Sequence, residues 1–208
     1  MNAEEYLKIL TQAAKLKTAY RHCYTEGERR ESVADHSWRI ALMAMLLREE
    51  EEFSDTDIDK VIRMCLIHDL GEAFTGDIPT FVKKDSDRET EDDIFLHWVN
   101  SFSSRQREEW LSLLSEMNEL QTPEARLYKA LDRMEALISH NESAIDTWLP
   151  LEYDLQFTYG KKDISFSPFL TELRKVLDLW SKVKIETEKD SLVTLDDALD
   201  YSKHNSKC

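Results

Sequence analysis

Residues 61–72 read VIRMCLIHDLGE, and this stretch decides the fold. From Val61 to Ile67 it is apolar nearly all round, with Arg63 the exception, which marks a central helix buried on most of its faces. Ser54 and Asp57 form a capping pattern ahead of it, so one helix is predicted to run from there through about residue 73. Upstream, Ser32 followed by Asp35 resembles a capping box opening a helix with His36, Ile40, Met43 and Leu47 along one face. Downstream, helices are predicted over about 88–101 and 103–119, the second capped by Ser103. Thr122-Pro123-Glu124, with proline at the first helical position, starts another through Leu127, Leu131, Met134 and Ile138. Two outer helices, over about 3–18 and 167–183, complete the reading. Residues 74–87 (FTGDIPTFVKKDSD) and 146–162 (DTWLPLEYDLQFTYGKK) read as loops.

Composition agrees. The chain holds 4 Gly and 4 Pro among 208 residues, about a third of the roughly 12% usual for the pair. A chain that can turn so seldom is mostly long helices, and the fold expected is all-α, without substantial sheet. With 41% hydrophobic residues it fills a core, which excludes wholesale disorder. Residues 1–184 read as one domain and 185–208 as a charged tail, in which Thr194 and Asp197 suit the cap of one short helix.

Acidic residues number 42 against 27 basic, a net charge of −15. Such a surface repels nucleic-acid polymers and anionic membranes but leaves a small phosphorylated ligand or a metal ion open. Cys23, Cys65 and Cys208 are an odd number without paired spacing, the N-terminus MNAEEYLKIL carries early acids, and no apolar run approaches the ~20 residues that span a bilayer. A reducing, cytoplasmic setting is expected.

The chemistry is concentrated at His68-Asp69. A carboxylate in the most apolar helix of the chain needs a positive partner, because removing it from water costs several kcal/mol. A divalent metal supplies that charge, and further ligands must then come from elsewhere. His36, on the inward face of its helix, and Asp132, beside the apolar stripe of its own, are the candidates. The set His36, His68, Asp69 and Asp132 would offer two imidazoles and two carboxylates, suited to Mn, Fe, Co, Ni or Zn; Mg prefers an all-oxygen shell. Taken singly, each of the four is more often structural.

The runs Ser32-Val33-Ala34-Asp35-His36, His68-Asp69-Leu70-Gly71-Glu72 and Gly76-Asp77-Ile78-Pro79, with Leu131-Asp132, resemble the HD-domain metal-dependent phosphohydrolases, and among them the 5′-deoxynucleotidase group. The resemblance covers about residues 14–180. It implies an HD-type helical bundle, one divalent metal on His36, His68, Asp69 and Asp132, and catalytic acids at Glu72 and Asp77. It implies a nucleoside 5′-monophosphate substrate and a homodimer. The family's substrate strip aligns with Leu16-Lys17-Thr18-Ala19-Tyr20-Arg21-His22-Cys23-Tyr24. Arg21 falls on the phosphate side, while Tyr24 stands where Trp is usual and Cys23 where Gly is. A second basic residue is unplaced there, with Arg29 and Arg30 as candidates. Two alternatives keep the same domain: a guanosine tetraphosphate or other phosphoester hydrolase, and a catalytically idle nucleotide sensor.

Overall fold

The computed structural model describes residues 1–25, 29–187 and 193–205. Helix α1 (Ala3–Ala13), capped by the Asn2 side chain, leads through a 3-10 turn to strand β1 (Tyr20–Tyr24), which pairs with β2 (Arg30–Ser32). This two-stranded sheet went unread in the sequence, since Tyr-Arg-His-Cys-Tyr has no clean alternation of apolar and polar residues. The prediction of an all-α fold otherwise holds.

Helix α2 (Val33–Leu46) starts at the predicted capping box: Asp35 N–H donates to Ser32 Oγ at 3.2 Å and Ser32 N–H to Asp35 Oδ2 at 2.9 Å. It packs on α3 (Ile58–Ile67), capped by Asp57 rather than Ser54. Between them Ile40, Ala44, Val61, Met64 and Cys65 lose all contact with water. Full burial of each large aliphatic side chain contributes roughly 1.5–3 kcal/mol.

The central helix does not reach residue 73. It ends at Ile67, and the chain continues through tight turns in which Leu70, Glu72, Ala73 and Phe74 N–H donate three residues back, to Ile67, Asp69, Leu70 and Gly71. One short helix, α4 (Glu72–Thr75), emerges from them. His68 and Asp69 therefore stand at a helix end, not inside a helix, and Leu66 is exposed.

Beyond Gly76, whose positive φ of 77° suits glycine, a non-helical stretch leads to α5 (Asp85–Asn100). That helix starts three residues before the predicted position, because Asp87 accepts from Lys84 N–H at 2.9 Å. Then come α6 (Ser104–Glu119) and α7 (Pro123–Glu142), with Thr122 Oγ1 accepting from Ala125 N–H at 3.2 Å. The stretch 146–162 is no simple loop: it holds α8 (Glu152–Thr158). Its buried positions are Glu152 and Gln156, polar residues one turn apart, so no apolar period betrayed it. Helix α9 (Pro168–Thr187) follows, and α10 (Leu195–Asn205) opens where predicted, with Asp197 N–H donating to Thr194 Oγ1 at 3.2 Å.

The chain forms two compact units. One comprises Met1–His22 and Glu31–Lys129; the other comprises Cys23–Arg30 and Ala130–Cys208. In the second unit α8 and α10 pack on α9, and Trp180 Nε1 donates to Val193 O at 2.7 Å. Cys23 and Cys65 are buried; Cys208 and the side chain of His204 lie outside the described residues. Among the described residues no helix is long and apolar enough to cross a membrane.

Candidate metal centre and active site

The first unit brings three of the four expected ligands together. His36 lies on the inward face of α2 and is 1% exposed, His68 caps the C-terminus of α3, and Asp69 follows in the turn. His68 Nε2 stands 3.0 Å from Asp69 Oδ2, and His36 Nε2 stands 3.8 Å from the same oxygen. One ligand atom from each residue lies within 4.8 Å of the others.

The tautomer of His68 decides what this triad can hold. Its Nδ1 sits 2.9 Å from the Cys65 carbonyl oxygen, which only accepts, so Nδ1 must carry a proton. Neutral His68 then turns the lone pair of Nε2 toward Asp69 Oδ2, and two acceptors face each other. A cation between the two relieves that. A backbone-anchored imidazole with its second nitrogen beside a carboxylate is the arrangement of a metal-ligating histidine. The residues fit a divalent ion.

Around the triad the charge is one-sided. Glu72 opens α4, is 5% exposed, and its Oε2 has no hydrogen-bond partner. Burial, then the charges of Asp69, Asp77 and Glu91, push its carboxyl up to about 10, with Lys83 opposing. Asp77, just past Gly76, is also raised by burial and by Asp69, with Arg21 and Lys83 opposing. The charge of Asp69 thus bears on both of the expected catalytic acids.

Arg21 reaches toward the same region from β1. Its Nη1 is 2.7 Å from Oε2 of the buried Glu31, whose Oε1 lies 3.9 Å from Nη2 of Arg39. Arg39, one turn along α2 from His36, thus shares a carboxylate with Arg21, whereas Arg29 and Arg30 are exposed and Arg29 bonds the Arg30 carbonyl. His22 meets Phe81 edge-on at 5.9 Å, joining β1 to the stretch that carries Asp77. Lys83 went unnoticed in the sequence. It lies 2.6 Å from Glu91 and 3.7 Å from Glu72. Its only sequence signal is a lysine near the Gly-Asp-Ile-Pro run.

The remaining two expected residues belong to the second unit. Asp132 is half-buried on α7. Tyr24, also half-buried, is fixed through its backbone: its N–H donates to Ser143 Oγ at 3.1 Å, and Ser143 Oγ–H donates to its carbonyl at 2.8 Å.

An HD domain family profile matches residues 13–174. The chain belongs to the HD domain family. Relatives of this HD-domain chain include the 5′-deoxynucleotidase HDDC2 of Dictyostelium discoideum, 32% identical over 66% of this chain and 76% of that protein. The human 5′-deoxynucleotidase HDDC2 is 28% identical over 67% of this chain and 69% of its own length. A crystal structure from Magnetospirillum magnetotacticum, described as a predicted metal-dependent phosphohydrolase, is 28% identical. It superposes with a TM-score of 0.70 over 88% of this chain and 95% of its own.

Proposed function

We propose that this protein hydrolyses deoxynucleoside 5′-monophosphates to nucleoside and phosphate, using one divalent metal ion. The observation that carries the reading is the convergence of His36, His68 and Asp69, with ligand atoms within 4.8 Å of one another. The names of its relatives support the substrate class. Asp132 is assigned as the fourth ligand from the family resemblance, as is Tyr24 as a neighbour of the nucleoside.

The ion's part would be to make water nucleophilic near neutral pH and to polarise a phosphoryl oxygen. The chain's own groups do the rest. Glu72, whose carboxyl is raised by burial and by the carboxylates around it, is suited to give a proton to the leaving 5′-oxygen. Asp77, whose ionised form Arg21 favours, is suited to accept one from the attacking water. Arg21, aimed by its bond to Glu31, carries the planar guanidinium whose fork of donors matches a phosphate dianion.

The catalytic domain in this reading is residues 1–184, with 185–208 an appendage, and the protein is a cytoplasmic homodimer. Tyr6, Leu7 and Leu10, exposed on α1, which buries none of its residues, support a second copy as the cover for that face. Light scattering tests the dimer. The function is tested by phosphate release from a panel of nucleoside monophosphates with Mn, Co, Zn or Mg and with a chelator. Turnover of deoxynucleotides, abolished by chelation, is the expected result. No release with any metal ends the reading.

A further inference from the structure

Lys83 has no duty in the reaction as described, yet its side chain is only 11% exposed, and it is a lysine. Burying an ammonium costs several kcal/mol unless partners compensate. Its Nζ lies 2.6 Å from Oε2 of Glu91 and 3.7 Å from Oε1 of Glu72, and those side chains are 11% and 5% exposed. The three groups come from three places: Lys83 from the non-helical stretch after Gly76, Glu91 from α5, and Glu72 from the start of α4.

We propose that Lys83, clamped by Glu91, is a positioning residue that holds the catalytic carboxyl of Glu72. The inference rests on the reading of Glu72 as a catalytic acid. The geometry orders the roles. Glu91 takes the short contact, so it anchors the ammonium; Glu72 takes the long one, through Oε1, while its Oε2 keeps no hydrogen-bond partner. One oxygen is thus steadied and the other left for chemistry.

The clamp is also built into the backbone. A methyl group at Gly71 would come within 2.8 Å of Glu91 Cγ, so Glu91 leans on the residue immediately before Glu72. Lys83 is placed by a turn of its own, with its N–H donating to Pro79 O at 3.0 Å. Its charge reaches Glu72, Asp77, Glu91 and Asp92 alike, opposing the burial that raises all four. A pair kept only for stability has no need of a second carboxylate at its side.

The test is steady-state kinetics of the metal-loaded enzyme on its best deoxynucleoside 5′-monophosphate, with metal content and melting temperature measured for each variant. Lys83→Met is expected to lower kcat ~10–100-fold, the usual loss when a supporting partner is removed, with KM and metal content unchanged. Lys83→Arg should recover part of the loss, and Glu91→Gln should fall between. In a Glu72→Gln background, Lys83→Met should cost nothing more. An unchanged kcat in Lys83→Met and Glu91→Gln overturns the proposal. A rise in KM would make Lys83 a substrate-binding group, and a loss of metal would make it a prop for the metal centre; either overturns it. So does an additive loss in the Glu72→Gln background. Wild-type protein inactive on every nucleotide removes the functional reading itself, whereas an active wild type matched by Lys83→Met removes only this inference.

Discussion

Two buried polar clusters, one in each unit, are built on opposite terms. In the second unit Arg174 is 3% exposed, and its guanidinium donates to the Tyr159 carbonyl, to the Gln156 carbonyl at 2.6 Å and to Asp178 Oδ1 at 2.6 Å. Nearby Gln156 Nε2 donates to Leu137 O at 3.0 Å, and Ser181 Oγ–H to Asn141 Oδ1 at 2.9 Å. In the first unit Glu72 is as deeply buried, but one of its oxygens accepts nothing and three carboxylates repel it. The first arrangement completes its hydrogen bonds and holds a fold together. The second leaves them open, which a protein keeps where an ion or substrate will supply the missing partner.

The contrast breaks most severely at the metal. Asp69→Ala should abolish metal uptake, read by elemental analysis, and turnover with it, because the carboxylate whose Oδ2 both histidines face is gone. Metal retained at full occupancy in that variant would mean that the triad is not the centre. Next, Glu72→Gln should keep the metal and lower kcat by ~10²–10⁴-fold, the range for a lost general acid or base. At neutral pH the metal-free variant should melt above wild type, since folding must return to Glu72 a proton that the unfolded chain has released, and glutamine takes up none.

Arg174→Met should do the reverse. Removing one partner of a buried, hydrogen-bonded charge costs about 3–5 kcal/mol, read by denaturant unfolding, while kcat of the protein that remains folded stays put. A stability cost at Glu72 as large as that at Arg174 would erase the distinction between the clusters.

The smallest effect is one of pH. A carboxyl raised in the folded state keeps a proton that the unfolded chain releases, so stability falls as pH rises from the unfolded value toward the folded one. For Glu72 that window runs from 4.5 to about 10, and the raised Asp77 and Glu91 act in the same direction. Lys184, lowered by burial to about 8, opposes them only above that value. Chelated protein should therefore lose a few degrees of melting temperature between about pH 5 and pH 7.5, and Glu72→Gln should flatten the slope. A melting temperature that climbs across that range would contradict the charge arrangement.

How much of this could be read in advance follows from locality. The capping box at Ser32 and Asp35 and the proline start at Pro123 are short-range signals, and both helices begin there. His36 was readable as an inward residue because a helix makes its face periodic. The end of α3 was not, because the apolar run continues past it in composition while the hydrogen bonding changes step. Helix α8 hid because it buries polar side chains, Glu152 accepting from Leu149 N–H and Gln156 reaching the distant Leu137 carbonyl. Lys83 hid for the same reason: its meaning comes from Glu72 and Glu91, eleven residues before it and eight after it, and no helical or strand period links the three.

The tight turns between Ile67 and Phe74 work as a gear. With hydrogen bonds closing over three residues, each position advances the chain by roughly 120° about its axis. Adding or removing one residue between His68 and Glu72 would swing the acid a third of a turn away from the imidazole, whatever its composition. Beyond Gly76 a second index is set by the turn in which Val82 and Lys83 N–H both donate to Pro79 O, so a length change between Pro79 and Lys83 would displace the ammonium in the same way.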